Sequence, residues 1–191
     1  MSETQLDLFG AVARPQRILV FDLETQKSFA EVGGRDRLRD LKISVAVAEE
    51  LPARQVKTYF EWDLAKLVDD LFAADLVVGF NIRRFDYEVL SAYTDRRLLE
   101  LPTLDLLESF ERAAGFRVKL DSLAASTLGR KKSADGLAAL QWFKEGKLDE
   151  IARYCRDDVA ITTDLYLFGK ERGYVLYPDR RGQVKNCPVS W

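Results

Sequence analysis

The stretch Ile18-Leu19-Val20-Phe21-Asp22-Leu23-Glu24-Thr25 constrains this chain more than any other. Four apolar residues run straight into two carboxylates separated by one position. An unbroken apolar run rich in branched side chains reads as a strand buried on both faces. Side chains alternate along a strand, so Asp22 and Glu24 share one side while Phe21 and Leu23 share the other. Two buried carboxylates on one face repel each other, at several kcal/mol per ion, roughly, unless a cation neutralises them. Oxygen ligands suit a hard divalent ion, Mg²⁺ or Mn²⁺. The alternative ends the strand at Phe21 and leaves Asp22-Leu23-Glu24 as solvated loop. This stretch alone does not choose between them.

The chain has no histidine. That excludes Ser-His and Cys-His nucleophile pairs, His-ligated zinc and any imidazole base. Chemistry must rest on carboxylates, tyrosine, lysine or metal-activated water. The formal net charge is −2, which speaks against gripping long duplex through a broad basic face. Two divalent ions in a carboxylate site would carry that charge past neutrality. At 191 residues the length fits one domain with a small appendage. No apolar run reaches membrane-span length, and no basic segment followed by an apolar one opens the chain. Cys155 and Cys187 form no metal-spacing motif and point to a reducing cytosol.

Residues 1–15 read as a flexible tail with a small-residue spacer, Gly10 to Pro15. Strands are expected at Ile43–Ala48, Gln55–Phe60, Leu76–Phe80 and Thr103–Asp105. Helices are expected at Trp62–Ala73, Phe85–Tyr93, Leu106–Ala114, Leu120–Leu128, Gly136–Lys144 and Leu148–Phe168. A hairpin with Asp179-Arg180-Arg181-Gly182 as its turn is expected over residues 174–191. This order predicts an α/β fold, a mixed sheet of three antiparallel strands followed by parallel ones, with helices on both faces. The boundaries that follow are a tail over 1–15, a main domain over 16–173 and a hairpin appendage over 174–191.

Two further acids join the first pair. Asp86 follows Asn81-Ile82-Arg83-Arg84-Phe85, beyond the carboxyl end of a strand, where ligand sites of open α/β sheets lie. A helix cap is the competing role for it. On the last helix, about 100° per residue places Ile151, Cys155, Val159, Thr162, Leu165 and Tyr166 on one face. Asp158 falls near the middle of that face, and Asp157 falls outside it. Tyr154, one turn earlier, shares the side of Asp158. A salt bridge to one of the many basic residues is the competing role for Asp158.

Phe21-Asp22-Leu23-Glu24-Thr25, Asn81-x3-Phe85-Asp86 and Tyr154-x3-Asp158 together resemble the three motifs of the four-carboxylate (DEDD) 3′–5′ exonucleases, in the tyrosine subclass. The resemblance covers Ile18 to about Phe168 and implies a ribonuclease H-like fold. It implies that Asp22, Glu24, Asp86 and Asp158 hold two divalent cations, Mg²⁺ or Mn²⁺, which activate water and stabilise the leaving 3′ oxygen. Tyr154 would orient the water. Thr25 and Asn81 would contact the terminal nucleotide. Phe85 would stack on a base or pack in the core. Ser133-Ala134-Asp135-Gly136 and Gly173-Tyr174-Val175-Leu176-Tyr177 further resemble a bacterial subfamily of such domains, some of them associated with helicases.

Phosphate contacts are sought among Arg35, Arg37 and Arg39, Arg83 and Arg84, and Arg130-Lys131-Lys132. Lys131 and Lys132, before a helix start, are the best placed; otherwise these runs are solvated faces. In the tail, Gln5-Leu6-Asp7-Leu8-Phe9 resembles the pentapeptide by which bacterial proteins dock on the DNA sliding clamp. Two leucines and a phenylalanine need a pocket, on a partner or on this domain. The expectation is a metal-dependent 3′–5′ exonuclease acting on DNA ends and recruited to the clamp. The rivals are an exoribonuclease of the same fold and a non-catalytic clamp-binding adaptor.

Overall fold

The first apolar run becomes the centre of a sheet because both its faces find cover. The computed structural model describes residues 16–130, 136–179 and 181–191. Strand β1 (Ile18–Thr25) pairs antiparallel with β2 (Ile43–Leu51), which pairs antiparallel with β3 (Gln55–Phe60). On its other side β1 pairs in parallel with β4 (Leu76–Gly79), and β4 with β5 (Thr103–Asp105). The order is β3-β2-β1-β4-β5.

Alternation along β1 sorts the core into two layers. Leu19, Phe21 and Leu23 belong to one cluster, closed by α1 (Leu64–Phe72) and α2 (Asp86–Leu90). Helix α1 buries Leu64, Leu67, Val68 and Leu71, the spacing of one helical face. Ile18 and Val20 belong to the other cluster, with α3 (Leu106–Ala114), α4 (Leu120–Leu128), α5 (Gly136–Lys144) and the long α6 (Leu148–Arg172). Hairpin β6 (Tyr174–Pro178) and β7 (Val184–Pro188) packs on this second layer through the buried Val175 and Cys187. Trp191 lies flat against Gly169 of α6, where any Cβ would overlap the indole, and its Nε1 donates to the Tyr166 carbonyl at 2.9 Å. No helix among the described residues is long and apolar enough to cross a membrane.

The expected mixed sheet with helices on both faces is observed. Some element ends move. β2 continues past Ala48 through two glutamates, because both have partners. Buried Glu49 accepts from Thr163 Oγ1 at 2.7 Å and pairs with Arg54 Nε at 2.8 Å. Glu50 pairs with Arg17 at 2.9 Å. Helix α2 is shorter than expected, as the amides of Ala92 and Tyr93 turn to carbonyls three residues back. The Tyr93 hydroxyl meanwhile accepts from the Ile43 amide and donates to Glu61. Trp62 and Asp63 form a 3₁₀ turn ahead of α1 rather than its first residues. α6 runs on past Phe168 to Arg172.

The start of β1 is pinned by charge. Asp70 of α1 accepts from Arg17 at 2.8 Å, Lys57 at 3.0 Å and the Tyr59 hydroxyl at 2.6 Å. Burial alone would raise the Asp70 carboxyl; these donors outweigh it and hold it at about 2. A carboxyl depressed in the folded state adds stability above its unfolded value and loses it as pH falls. Asp70→Asn is therefore expected to cost about 1–2 kcal/mol at neutral pH, below a fully buried charged hydrogen bond because the cluster is part-solvated. Urea denaturation should then show wild type losing more stability than the variant between about pH 4 and pH 2.

Candidate active site

Beyond Val20 the pairing of β1 with β4 stops, while pairing with β2 continues to Thr25. The last residues of β1 are thus open on one side, and the chain leaving β4 crosses there. Gly79 permits the crossing, since a Cβ on it would overlap Ile82 and come within 3.0 Å of the Phe21 carbonyl. Asn81 follows with φ of 70°, turning the chain sharply toward Asp86.

Asp22 and Glu24 continue the face of Ile18 and Val20 and point toward α6, as alternation requires. α6 brings Tyr154, Cys155 and Asp158 to them, all buried, while Asp157 is exposed. Carboxylate oxygens of Asp22, Glu24 and Asp158 lie within 4.8 Å of one another. The Cys155 thiol donates toward Asp22, at 3.4 Å from its carbonyl oxygen and 3.6 Å from Oδ2. Asp86 stands outside this close trio but lines the same cleft. It is 2% exposed, and its Oδ1 has no hydrogen-bond partner. Burial first, then the charge of Asp22, holds the Asp86 carboxyl well above its usual range. Hydrogen bonds from its own amide and that of Leu23 oppose the shift.

This donor set fits a hard divalent cation. Every close donor is a carboxylate oxygen, the acids crowd at one point, and a buried carboxylate oxygen stands unsatisfied beside them. The cleft holds about 460 Å³ and is lined by all four acids, Tyr154, Thr25, Asn81 and Phe85. That volume falls in the range of small-ligand pockets. Thr25 Oγ1 donates to the Lys27 carbonyl at 3.0 Å. Asn81 Oδ1 accepts from Arg117. Phe85 is half-buried, edge-to-face with Phe29 at 6.1 Å, so it serves the core and the cleft wall together. Burial first, then the charge of Asp158, pushes the Tyr154 phenol far above its ordinary value.

Each of the basic candidates among the described residues has a partner within the protein. Arg83 and Arg84 pair with Glu108, and Arg84 also with Glu111. Arg35 covers the Phe29 ring at 4.8 Å. Arg37 pairs with Asp40, Arg39 donates to the Ser91 carbonyl, and Arg130 pairs with Asp164. Lys131, Lys132 and Ser133 to Asp135 lie outside the described residues, as do Arg180 of the hairpin turn, the Gly10 to Pro15 spacer and the pentapeptide Gln5, Leu6, Asp7, Leu8 and Phe9. Lys27, Phe29, Leu137 and Leu140 also line the cleft, and no motif pointed to them.

The residue that sequence reading missed most plainly is Asp105. It is buried and accepts four backbone amides. Leu107 and Glu108 reach Oδ1 at 3.0 and 3.3 Å as the cap of α3. Asn81 reaches the same oxygen at 2.8 Å, and Arg83 reaches Oδ2 at 3.1 Å. One carboxylate thus holds both a helix start and the turn that presents Asp86. An aspartate ahead of an apolar helix is a cap signal, which shows half of this role. Asp105→Ala is expected to destabilise the fold by about 2–4 kcal/mol, from a lost cap and buried donors left unpaired. Urea denaturation measures this, and faster amide exchange at Asn81 and Arg83 would mark the turn as the part released.

A model of the RNase H superfamily matches residues 19–167. Among solved structures, the family B DNA polymerase from the hyperthermophilic archaeon Pyrobaculum calidifontis is similar, with a TM-score of 0.59 and 21% identity over 85% of this chain. The chain spans 25% of that polymerase's length, and at this identity the likeness bears on the fold. The comparison with curated proteins gave no match.

Proposed function

We propose that this chain, which belongs to the RNase H superfamily, is a 3′–5′ exonuclease hydrolysing phosphodiester bonds at DNA ends. The observation that carries the reading is the meeting of Asp22 and Glu24 from β1 with Asp158 from α6, beside a buried Asp86 with an unsatisfied oxygen. These four acids would hold two divalent cations, Mg²⁺ or Mn²⁺. Such ions, when bound, polarise the phosphate and lower the pKa of water. The chain's own residues do the rest. Tyr154 Oη is hydrogen-bonded to Asp158 and lines the cleft beside the acids, where it would orient the attacking water. Asn81 and Thr25 stand at the cleft where a terminal nucleotide would sit, against the apolar wall of Leu23, Phe29 and Phe85.

The test is digestion of 5′-end-labelled single-stranded DNA with Mg²⁺ or Mn²⁺. A ladder shortening from the 3′ end is expected. Asp22→Asn, Asp86→Asn and Asp158→Asn should each lower turnover by about 10²–10³ or more. Tyr154→Phe should lower it by about 10–100-fold, as loss of an orienting hydrogen bond does. Asp157→Asn, on the exposed side of α6, should stay within about twofold of wild type. Shortening from the 5′ end, or digestion of RNA alone, would replace the polarity or the substrate. An active Asp158→Asn beside an inactive Asp157→Asn would overturn the site.

The choice of DNA rests on the tail. Gln5, Leu6, Asp7, Leu8 and Phe9 would dock on the sliding clamp, with Gly10 to Pro15 as spacer. Short flexible tethers give effective concentrations of about millimolar. Deleting residues 1–10 should leave turnover of a short oligonucleotide unchanged and abolish stimulation by a clamp loaded on primed DNA. Leu8→Ala with Phe9→Ala should act alike, each anchor contributing about 1.5–3 kcal/mol of pocket burial. A wild-type protein that neither binds the clamp nor speeds up in its presence would remove the recruitment step.

A further inference from the structure

Trp62 and Leu137 are the most exposed large apolar side chains among the described residues, each at 72%. Leu137 lines the carboxylate cleft. Trp62 lies outside it, yet the sheet register brings it to the same end. Glu24 is opposite Val45, and Val45 is opposite Phe60. Phe60 packs on the α6 side of the sheet, the side toward which Asp22 and Glu24 point. Trp62 stacks on Phe60, with ring centroids 5.0 Å apart and planes 22° from parallel. One indole face is thus held by a fixed aromatic and the side chain remains largely in water.

At about 4.8 Å per strand, Phe60 stands about 10 Å from Glu24. That is about three stacked nucleotides at roughly 3.4 Å each, and fewer if the strand is stretched. The cleft wall includes Phe80, Asn81, Phe85 and Asp86, which follow β4, the neighbour of β1 on the side away from β2 and β3. A strand whose last nucleotide occupies that cleft would meet Trp62 if it left the acids along the end of the sheet toward β3. The acidic neighbours of Trp62 are already engaged: Glu61 accepts from Gln26 and Tyr93, and Asp63 pairs with Lys66. Arg156 of α6 reaches Thr58 Oγ1 at 3.2 Å, two residues before Phe60 on the same face of β3, and puts a cation beside the aromatic pair.

We infer that Trp62, held flat on Phe60, is a stacking subsite for a nucleobase upstream of the one being released. The inference deepens the proposed exonuclease reading and rests on it. Stacking on a rigid aromatic is sequence-tolerant, so the subsite favours single-stranded nucleic acid of any sequence. It also favours substrates of several nucleotides over a lone terminal one.

The experiment has a binding arm and a turnover arm, both with the full chain. In an Asp22→Asn background, tryptophan fluorescence is titrated with thymidine monophosphate and with thymidine oligonucleotides of increasing length. Quenching is expected for oligonucleotides and not for the monophosphate, and Trp62→Ala should abolish it while Trp142 and Trp191 still emit. In the otherwise wild-type chain, Trp62→Ala should raise KM for an oligonucleotide by about tenfold, the scale of one stacked base. It should leave kcat, and hydrolysis of the p-nitrophenyl ester of thymidine 5′-monophosphate, unchanged, and Trp62→Phe should restore most of the affinity. Unchanged oligonucleotide KM and unchanged quenching in Trp62→Ala would overturn the subsite. If the chain cleaves nothing, the exonuclease reading fails, and the binding arm still decides whether Trp62 stacks on a base.

Discussion

Everything at the working end of this molecule follows from like charges forced together at the tip of a buried strand. Asp22 and Glu24 are on the covered side because Ile18 and Val20 are, and the period of a strand allows no other choice. α6 adds Asp158 at the same point because its own apolar stripe must face that sheet. The hydrophobic effect therefore sets the carboxylates beside one another, against their mutual repulsion. Asp86 bears the same stress: burial first, then the charge of Asp22, raises its carboxyl above the usual range. A fold that tolerates this has stored a preference for positive charge in its core.

The rest of the architecture reads as support for that arrangement. The parallel pairing of β4 with β1 ends early and leaves room for the turn that carries Asp86. Asp105 holds the turn by its amides and leaves its side chains to the cleft. Arg83 and Arg84, on the turn before Asp86, are tied to glutamates of α3 rather than to the acids. At the opposite end of β1, Arg17 and Asp70 anchor the strand where no chemistry is proposed.

How much of this was legible depended on how far apart the interacting residues lie. Asp158 and Asp157 were told apart because the helical period is local and the stripe around them is long. β1 was legible for the same reason, an unbroken run with one alternation. The end of β2 was not, since Glu49 stays in the strand only through Thr163, 114 residues away. Asp105 was placed only at the end of a strand: its cap role is a local signal that went unused, and its bond to the Asn81 amide spans 24 residues and leaves no local mark. The apolar pattern puts Trp62 in a helix; it lies instead in a 3₁₀ turn whose Glu61 meets Gln26 and Tyr93, residues far away in sequence. The pentapeptide rests on resemblance alone and lies outside the described residues.

The indole of Trp191 against Gly169 has a mechanical meaning for the distant cleft. Asp158 and Gly169 ride on one helix, about 16 Å apart at 1.5 Å per residue. A helix packed by apolar contacts alone resists tilting better than it resists gliding along its own axis. The Trp191 bond to the Tyr166 carbonyl is directional, and the indole fits only where a side chain is missing. Together they act as a detent: α6 is indexed at its far end, and a slip of a single residue there would carry Tyr154 and Asp158 out of alignment with β1.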